Sequence, residues 1–554
     1  MSDLHMAHWP RFAPRHLWIP ETSLYTNVEV SAARFPKKPF IAFYGTEISY
    51  GRFRDETERI AGWLQQDCGV KKGDRVLLYM QNSPQFIAAY YAILRADAVV
   101  VPVNPMNLTE ELRHYVEDAG AKVAFAAQEL LARMQPLLGQ GGLEKIVVAT
   151  YSDYVEPDCG WQLPDFVAAP RAALGDARTV AWADVLAAAR KPAPMQTGAD
   201  DLAVMPYTSG TTGQPKGCMH THRSTMYNTV SNGIWHRGNQ GAVVLGVLPF
   251  FHVTGMQSNM NTVVFFGGTV VVLPRWDRDA AALCVQRHGV TSMTLITAMV
   301  IDFMSNPRLD EYDLSSLQRL NGGGAAMPKA VALAMEQKVG LKYVEGYGLS
   351  ETMAASHTNP LERPKEQCLG IPLADVDSRV VDPATLRELA PGEVGEIITH
   401  GPQVMLGYWN QPEATAQAFV EIDGKRFLRT GDLAYVDEEG YFFFVDRLKR
   451  MINAAGFKVW PAEVEALLYK HPAIQEACVI AAQDPRRGET VKAVVVLKPA
   501  SVGQVTEQQI ADWAHENMAA YKAPRIVQFA QSLPKSGTGK VMWRALQEAE
   551  KKAF

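Results

Sequence analysis

Residues 74 to 94 read DRVLLYMQNSPQFIAAYYAIL, and this stretch decides the fold class. Asp74 to Met80 is a short run of apolar, strand-forming side chains. Ser83 to Leu94 is a longer apolar segment opened by Ser-Pro, a pair that suits a helix start, because the N–H that proline lacks would find no partner there anyway. The same alternation of short apolar runs with helical patterns recurs along the chain and favours an α/β architecture with mostly parallel strands. Tyr151 to Asp201 is rich in Ala and Pro with weaker periodicity, which predicts surface helices and a long connection. A second shift comes near Asp446, where YFFFVDR runs into LKR and then AAGFKVWPAEVEALL. Pro461 sits where a first helical turn tolerates it, and Val464, Leu467 and Leu468 share one helix face. With Lys492 to Pro499 as a strand and Thr506 to Met518 as a helix, this end makes a small α+β domain. The expected division is 1 to 446 and 447 to 554.

The 554 residues exceed what one hydrophobic core normally serves, in keeping with two domains. Apolar residues make up 47% and charged residues 20%, which excludes a disordered chain. The 54 basic against 59 acidic residues give −5, without the basic excess that would announce nucleic acid or an anionic membrane. No transmembrane span or secretory signal is legible, and the six cysteines form no CxxC pair. These features predict a cytoplasmic enzyme with reduced thiols, no structural zinc and no integral membrane contact. They leave room for peripheral membrane association and for a homodimer.

Residues 207 to 217 read YTSGTTGQPKG, with three glycines, four hydroxyl side chains and one lysine. Glycines let backbone N–H groups turn toward an anion. Thr208, Ser209, Thr211 and Thr212 add donors between Gly210 and Gly213, and Lys216 adds charge. The ordinary phosphate loop GxxxxGK[ST] does not fit, because Pro215 precedes Lys216 and Gly217 follows it. GTGKV at Gly537 to Val541 also fails, since Pro534 stands where the first glycine belongs and Val541 is no magnesium ligand.

YTSGTTGQPKG resembles the signature loop of the adenylate-forming superfamily of acyl-CoA synthetases, peptide-synthetase adenylation domains and firefly-type luciferases. Further motifs follow in the family's order: NGGGA (Asn321 to Ala325), EGYGLSET (Glu345 to Thr352), RTGD (Arg429 to Asp432), VDRLKRMI (Val445 to Ile452) and PKSGTGK (Pro534 to Lys540). The resemblance implies a large N-terminal domain of mixed and parallel sheets flanked by helices, with a smaller mobile α+β C-terminal domain. It implies ATP, Mg2+ and coenzyme A as cofactors, and an acyl-adenylate passed to the thiol of coenzyme A.

The resemblance also assigns residues. Lys540 and Lys216 meet the developing phosphate charge, and Glu351 with Thr208 holds magnesium, a division that suits a carboxylate attacking a phosphate. Gly323, Gly324 and Ala325 lie beside adenine and the acyl group, with Gly346, Tyr347 and Gly348 in the next motif. Ser350 stands where many relatives carry a phosphate-binding threonine. Asp432 and Arg447 contact the ribose, although an isolated Asp after Thr-Gly more often caps a turn. Lys449 matches the pivot between the domains, and Gly456 lies in a loop beside the pantetheine tunnel. Asn453 stands where several relatives have a second phosphate-contacting lysine, which puts that contact in doubt. PKSGTGK resembles the acetylation motif of bacterial acyl-CoA synthetases, which makes a protein acetyltransferase acting on Lys540 an expected partner.

Leu248 to Pro274 resembles a pocket-lining segment with His252 at a gating position, and it lacks the aspartate that holds a substrate amine in amino-acid-activating relatives. Gly348 replaces the tryptophan of acetate-specific relatives and is expected to leave the channel open. A medium- to long-chain fatty acid is therefore expected, with cinnamate-like aryl acids as the competing class. The short stretch after Lys540 has no room for a carrier domain, so the remaining alternative within the family is loading of a separate carrier protein.

Overall fold

The structure is a computed structural model that describes residues 4–208, 214–324, 327–454, 457–484, 488–535 and 541–552. By internal contacts the chain divides into two compact units. One comprises Ser2–Ser378 and Thr399–Leu428, the other Arg379–Ile398 and Arg429–Phe554.

The larger unit is built on two sheets. In the seven-stranded sheet the order is His220–Thr221, Leu202–Val204, Val99–Pro102, Arg75–Tyr79, Val123–Ala127, Lys145–Ala149 and Thr179–Ala181. All neighbours are parallel except the first pair. The helix Pro84–Arg95 follows the strand Arg75–Tyr79 as expected, and the Ser83 hydroxyl accepts the Phe86 N–H at 3.1 Å. Every residue of that helix is buried, which explains an apolar pattern all round rather than a stripe. The Ala- and Pro-rich stretch carries two short helices, Asp165–Ala168 and Trp182–Ala187, and also adds the edge strand Thr179–Ala181.

The nine-stranded sheet runs Ile371–Pro372, Ala354–Thr358, Tyr343–Leu349, Arg319–Gly323, Ser292–Thr294, Val243–Gly246, Thr269–Val272, Pro39–Phe43 and Thr46–Ser49. Its six middle strands are parallel, and antiparallel strands finish both edges. Ligands in such sheets gather at the carboxyl ends of the strands. NGGGA and EGYGLSET lie at the carboxyl ends of two neighbouring parallel strands, with Gly323 opposite Gly346.

In the smaller unit a five-stranded sheet joins Phe457–Val459, Ile452–Ala454, Gly488–Leu497, Ile474–Asp484 and Ile526–Phe529. The helices Pro461–Leu468 and Glu507–Asn517 bury Val464, Leu468, Ile510 and Ala514 in one core with Val479, Val491 and Val495. Thr506 caps the second helix through the Gln509 N–H, as its sequence pattern predicts. The expectation of a large α/β unit with a smaller α+β unit therefore holds. No helix among the described residues is long and apolar enough to cross a membrane.

Candidate functional site

Thr208 and Lys216 face each other across a two-residue antiparallel ladder, with Tyr207 opposite Gly217. The two ends of the glycine-rich segment are thus held side by side. The ladder is anchored on both flanks. The Tyr207 hydroxyl donates to Asp118 Oδ2 at 2.5 Å, and His114 Nε2 lies 2.8 Å from the Pro215 carbonyl oxygen. The Trp409 N–H donates to the Gly217 carbonyl at 2.8 Å, and its indole N–H donates to the Asp118 carbonyl at 3.0 Å.

Directly opposite partners have Cβ atoms about 5 Å apart, so the Thr208 hydroxyl and the Lys216 ammonium start from neighbouring positions. The Lys216 ammonium lies 5.2 Å from the centre of the Tyr408 ring, within cation–π range. The Tyr408 hydroxyl donates to Glu351 Oε1 at 2.9 Å. Burial, then the Glu351 charge, raises the pKa of that phenol, so it stays protonated and keeps donating. Lys216, Tyr408 and Glu351 thereby form one chain of contacts beside the loop.

The turn that carries Glu351 is fixed from several sides. His220 Nε2 lies 2.8 Å from the Ser350 carbonyl oxygen, and the Met405 N–H donates to the Glu351 carbonyl at 2.9 Å. His220 is buried and its pKa is pushed down to about 4, so near neutral pH it is an uncharged imidazole whose Nε2–H holds that carbonyl. The Leu349 N–H donates to Thr352 Oγ1 and that hydroxyl donates to the Ala354 carbonyl, each at 2.8 Å. Met353 and Ala354 take φ of 48° and 86°, values uncommon for non-glycine residues.

Gly348 departs from expectation. A Cβ built there would lie 1.7 Å from the Ala354 carbonyl oxygen and 2.9 Å from Ala355 Cα. Glycine is required because the neighbouring strand passes so close. Gly323 is similar, since its Cβ would stand 2.3 Å from the Gly346 carbonyl oxygen. Gly324 takes φ of 86° as the chain leaves the strand. Gly322, which the motif did not single out, must lack a side chain so that the Tyr343 hydroxyl can donate to the Leu295 carbonyl at 2.7 Å. Tyr347 packs against His357, with ring centres 5.6 Å apart.

His252 caps the short helix Val253–Met256, its Nδ1 accepting the Thr254 N–H at 3.3 Å. Much of Leu248 to Pro274 is core: Phe250, Val253, Met256, Met260 and Val264 are buried. Ser258, Thr262 and Phe266 line a cavity described below.

Glu345, at the head of EGYGLSET, accepts the Gln367 N–H at 3.0 Å and the Met327 N–H at 3.4 Å. Burial raises its pKa from 4.5 to about 7, against the pull of those two N–H groups. Between these values the folded protein holds a proton that the unfolded chain has released, so this group makes stability fall as pH rises through the window. Glu345→Gln removes that slope. Denaturant midpoints at pH 5 and pH 7.5 therefore move less in the variant than in the wild type; parallel movement in both would refute the assignment.

In the smaller unit Asp432 and Arg447 are register partners, with Arg447 Nε 3.0 Å from Asp432 Oδ1. The Asp432 side chain is 2% exposed. The RTGD segment of the strand Lys425–Val436 is braced by Glu396, whose carboxylate pairs with Arg429 at 2.5 Å and accepts the Gly431 N–H at 3.1 Å. Lys449 is exposed in the turn Leu448–Arg450. Asp446 on one side of it accepts the Ala462 N–H at 2.6 Å, and Arg450 on the other pairs with Glu465. Ser209, Gly210, Thr211, Thr212, Gly213, Ala325, Gly456 and Lys540 lie outside the described residues.

Sequence reasoning missed Tyr408, His220 and Glu396. Each had a signal: an aromatic after Gly407, a histidine in MHTH just past the YTSGTTGQPKG motif, and an acid in GEVGEI at the start of a strand.

The family model described as AMP-binding enzyme matches residues 28–409, and that of the AMP-binding enzyme C-terminal domain matches 463–540. A long-chain-fatty-acid–CoA ligase of Bacillus subtilis is 36% identical over 555 aligned positions, covering 98% of each chain. A feruloyl-CoA synthase of Amycolatopsis is 34% identical over 502, covering 90% of this chain and 93% of its own. Among solved structures, ATP-bound MatB from Rhodopseudomonas palustris superposes with a TM-score of 0.84 at 28% identity, over 96% of this chain and 100% of that one.

Proposed function

The chain belongs to the AMP-binding enzyme family, in its acyl-CoA synthetase branch, and from that premise we propose that it activates a medium- to long-chain fatty acid for transfer to coenzyme A. It is an AMP-forming acid–thiol ligase that uses ATP and coenzyme A. In the first step a carboxylate oxygen bonds to the α-phosphorus, and the bond to the β-phosphate breaks to release pyrophosphate. In the second the thiol sulfur of coenzyme A bonds to the acyl carbon and AMP leaves.

The observation that carries this reading is the linked set on the loop ladder: Lys216 over Tyr408, and Tyr408 on Glu351. The Lys216 ammonium neutralises phosphate charge, while Tyr408 orients Glu351 by occupying one carboxylate oxygen. Glu351 and the Thr208 hydroxyl are hard oxygen donors of the kind magnesium takes, and they would hold it. When bound, the ion draws charge from the phosphate oxygens. By resemblance Ser350 contacts phosphate, Asp432 accepts the ribose hydroxyls with Arg447 beside it, and Lys540 bridges the acid and the α-phosphate. The ATP- and acyl-binding work falls to 1 to 446, and the catalytic-lysine work to 447 to 554, with Lys449 as the pivot.

The 34% identity to a feruloyl-CoA synthase supports aryl acids as the second reading. A panel of octanoate, palmitate, acetate and ferulate, followed by pyrophosphate release and thioester formation, separates the two. We expect octanoate or palmitate to give the highest kcat/KM. Faster turnover of ferulate would overturn the alkyl assignment, and absence of thioester from every acid would overturn the activity.

A further inference from the structure

The parallel strands Val243–Gly246, Ser292–Thr294 and Arg319–Gly323 lie side by side, with Val244 opposite Ser292, Ser292 opposite Arg319 and Thr294 opposite Asn321. Side chains two apart point to one face of a sheet. That face lines a small cavity of about 40 Å³. His236 from the end of the preceding helix and Phe266 close it from the other side.

The exposed lining is mostly apolar, but it is not purely hydrocarbon. It carries hydroxyls, amides, an imidazole and a guanidinium, and no carboxylate. Two of its polar atoms, Arg319 Nε and His236 Nδ1, are buried without a hydrogen-bond partner among the described residues. Nearby Arg237 already pairs with Glu362, and its charge, after burial, depresses the Arg319 pKa. Burial and then the Arg319 charge push the His236 pKa down to about 4, so the imidazole is neutral and adds a donor or acceptor without adding charge. A half-buried guanidinium with a second one beside it and no acid against it destabilises the fold unless an anion arrives.

Distance sets where that anion would sit on a substrate. Gly323 stands at the carboxyl end of the strand, where the acid is activated, and Arg319 lies four residues back on the same face. At about 3.3 Å per residue the span is roughly 13 Å. An extended chain advances about 1.2 Å per bond, since three backbone bonds cover about 3.6 Å, so the span corresponds to about eleven bonds, fewer by the reach of the arginine.

We propose that this cavity receives the far end of the acid and that Arg319, with His236 beside it, recognises a second carboxylate there, making α,ω-dicarboxylic acids of about eight to ten carbons preferred substrates. The guanidinium fork suits a carboxylate through two parallel N–H···O bonds. This rests on the acyl-CoA ligase reading above and narrows its substrate class.

The test compares kcat/KM for thioester formation from decanedioate and from decanoate, in the wild type and in Arg319→Met. The wild type should prefer the diacid, and the diacid-to-monoacid ratio should fall about 100-fold in the variant, the scale on which one partner of a buried charge pair is lost. Preference of the wild-type enzyme for decanoate overturns the proposal without any variant, so a misfolded Arg319→Met leaves it decidable. An unchanged ratio in a folded variant overturns it too. If added inorganic phosphate speeds decanoate turnover in the wild type but not in Arg319→Met, the arginine serves a free anion and the assignment to substrate is wrong. Thioester from monoacids with no preference for diacids sinks this inference alone; no thioester from any acid sinks the ligase reading and this inference with it.

Discussion

Replacing Lys540 by alanine lowers pyrophosphate release by about three orders of magnitude and leaves thioester formation from a supplied acyl-adenylate within a few fold of wild type. A carboxylate approaching an α-phosphate oxygen to about 4 Å meets a repulsion of about 4 kcal/mol at an effective dielectric constant near 20. An ammonium between the two removes that term, and about 1.4 kcal/mol per decade converts it to roughly 1000-fold. The second half-reaction brings no carboxylate to the phosphate, so the charge is not needed there. Single-turnover assays of the two halves measure each separately. Equal losses in both would show that Lys540 supports the fold or coenzyme A binding instead. Acetylation of the same amine should reproduce the alanine phenotype, because it removes the charge.

Gly348→Trp abolishes activity toward every acid in parallel, and its acetate-to-octanoate ratio, where activity is measurable, equals that of the wild type. A Cβ at this position meets the Ala354 carbonyl oxygen at 1.7 Å, so even alanine forces the two strands apart. Ala354 already holds a φ of 86° and its carbonyl accepts the Thr352 hydroxyl, so it has little freedom to yield. Overpacking commonly costs about 1–3 kcal/mol, and a contact this short against backbone belongs at or beyond the upper end. Gly348→Ala is the informative companion: it should lose several degrees in Tm and much of its activity without adding bulk to any channel. A well-folded Gly348→Trp that prefers acetate would restore the view that this glycine sets chain length.

Motif order and spacing made the family and its acid–thiol ligase chemistry legible, because that chemistry depends on side-chain type at fixed sequence positions. The α/β class was legible for a similar reason, since the period of apolar residues switches visibly between Asp74 and Leu94. What was not legible depends on contacts between distant segments. Tyr408 reaches Glu351 across 57 positions, and His220 reaches Ser350 across 130. The close strand contact at Gly348 was not legible, because a glycine in a motif looks the same whether it leaves space for a ligand or for a neighbouring backbone. Arg319 was not singled out by the sequence, because only the alternation of faces along its strand sets it beside His236.

The ladder that closes the signature loop limits how this segment can change over evolution or in the laboratory. Side chains alternate along a strand, so a one-residue insertion at Lys216 or Thr208 turns the ammonium to the opposite side, away from Tyr408 and Glu351. Insertions at these paired positions should therefore be lethal. A library of single-residue insertions at Tyr207, Thr208, Lys216 and Gly217 would show activity lost at each.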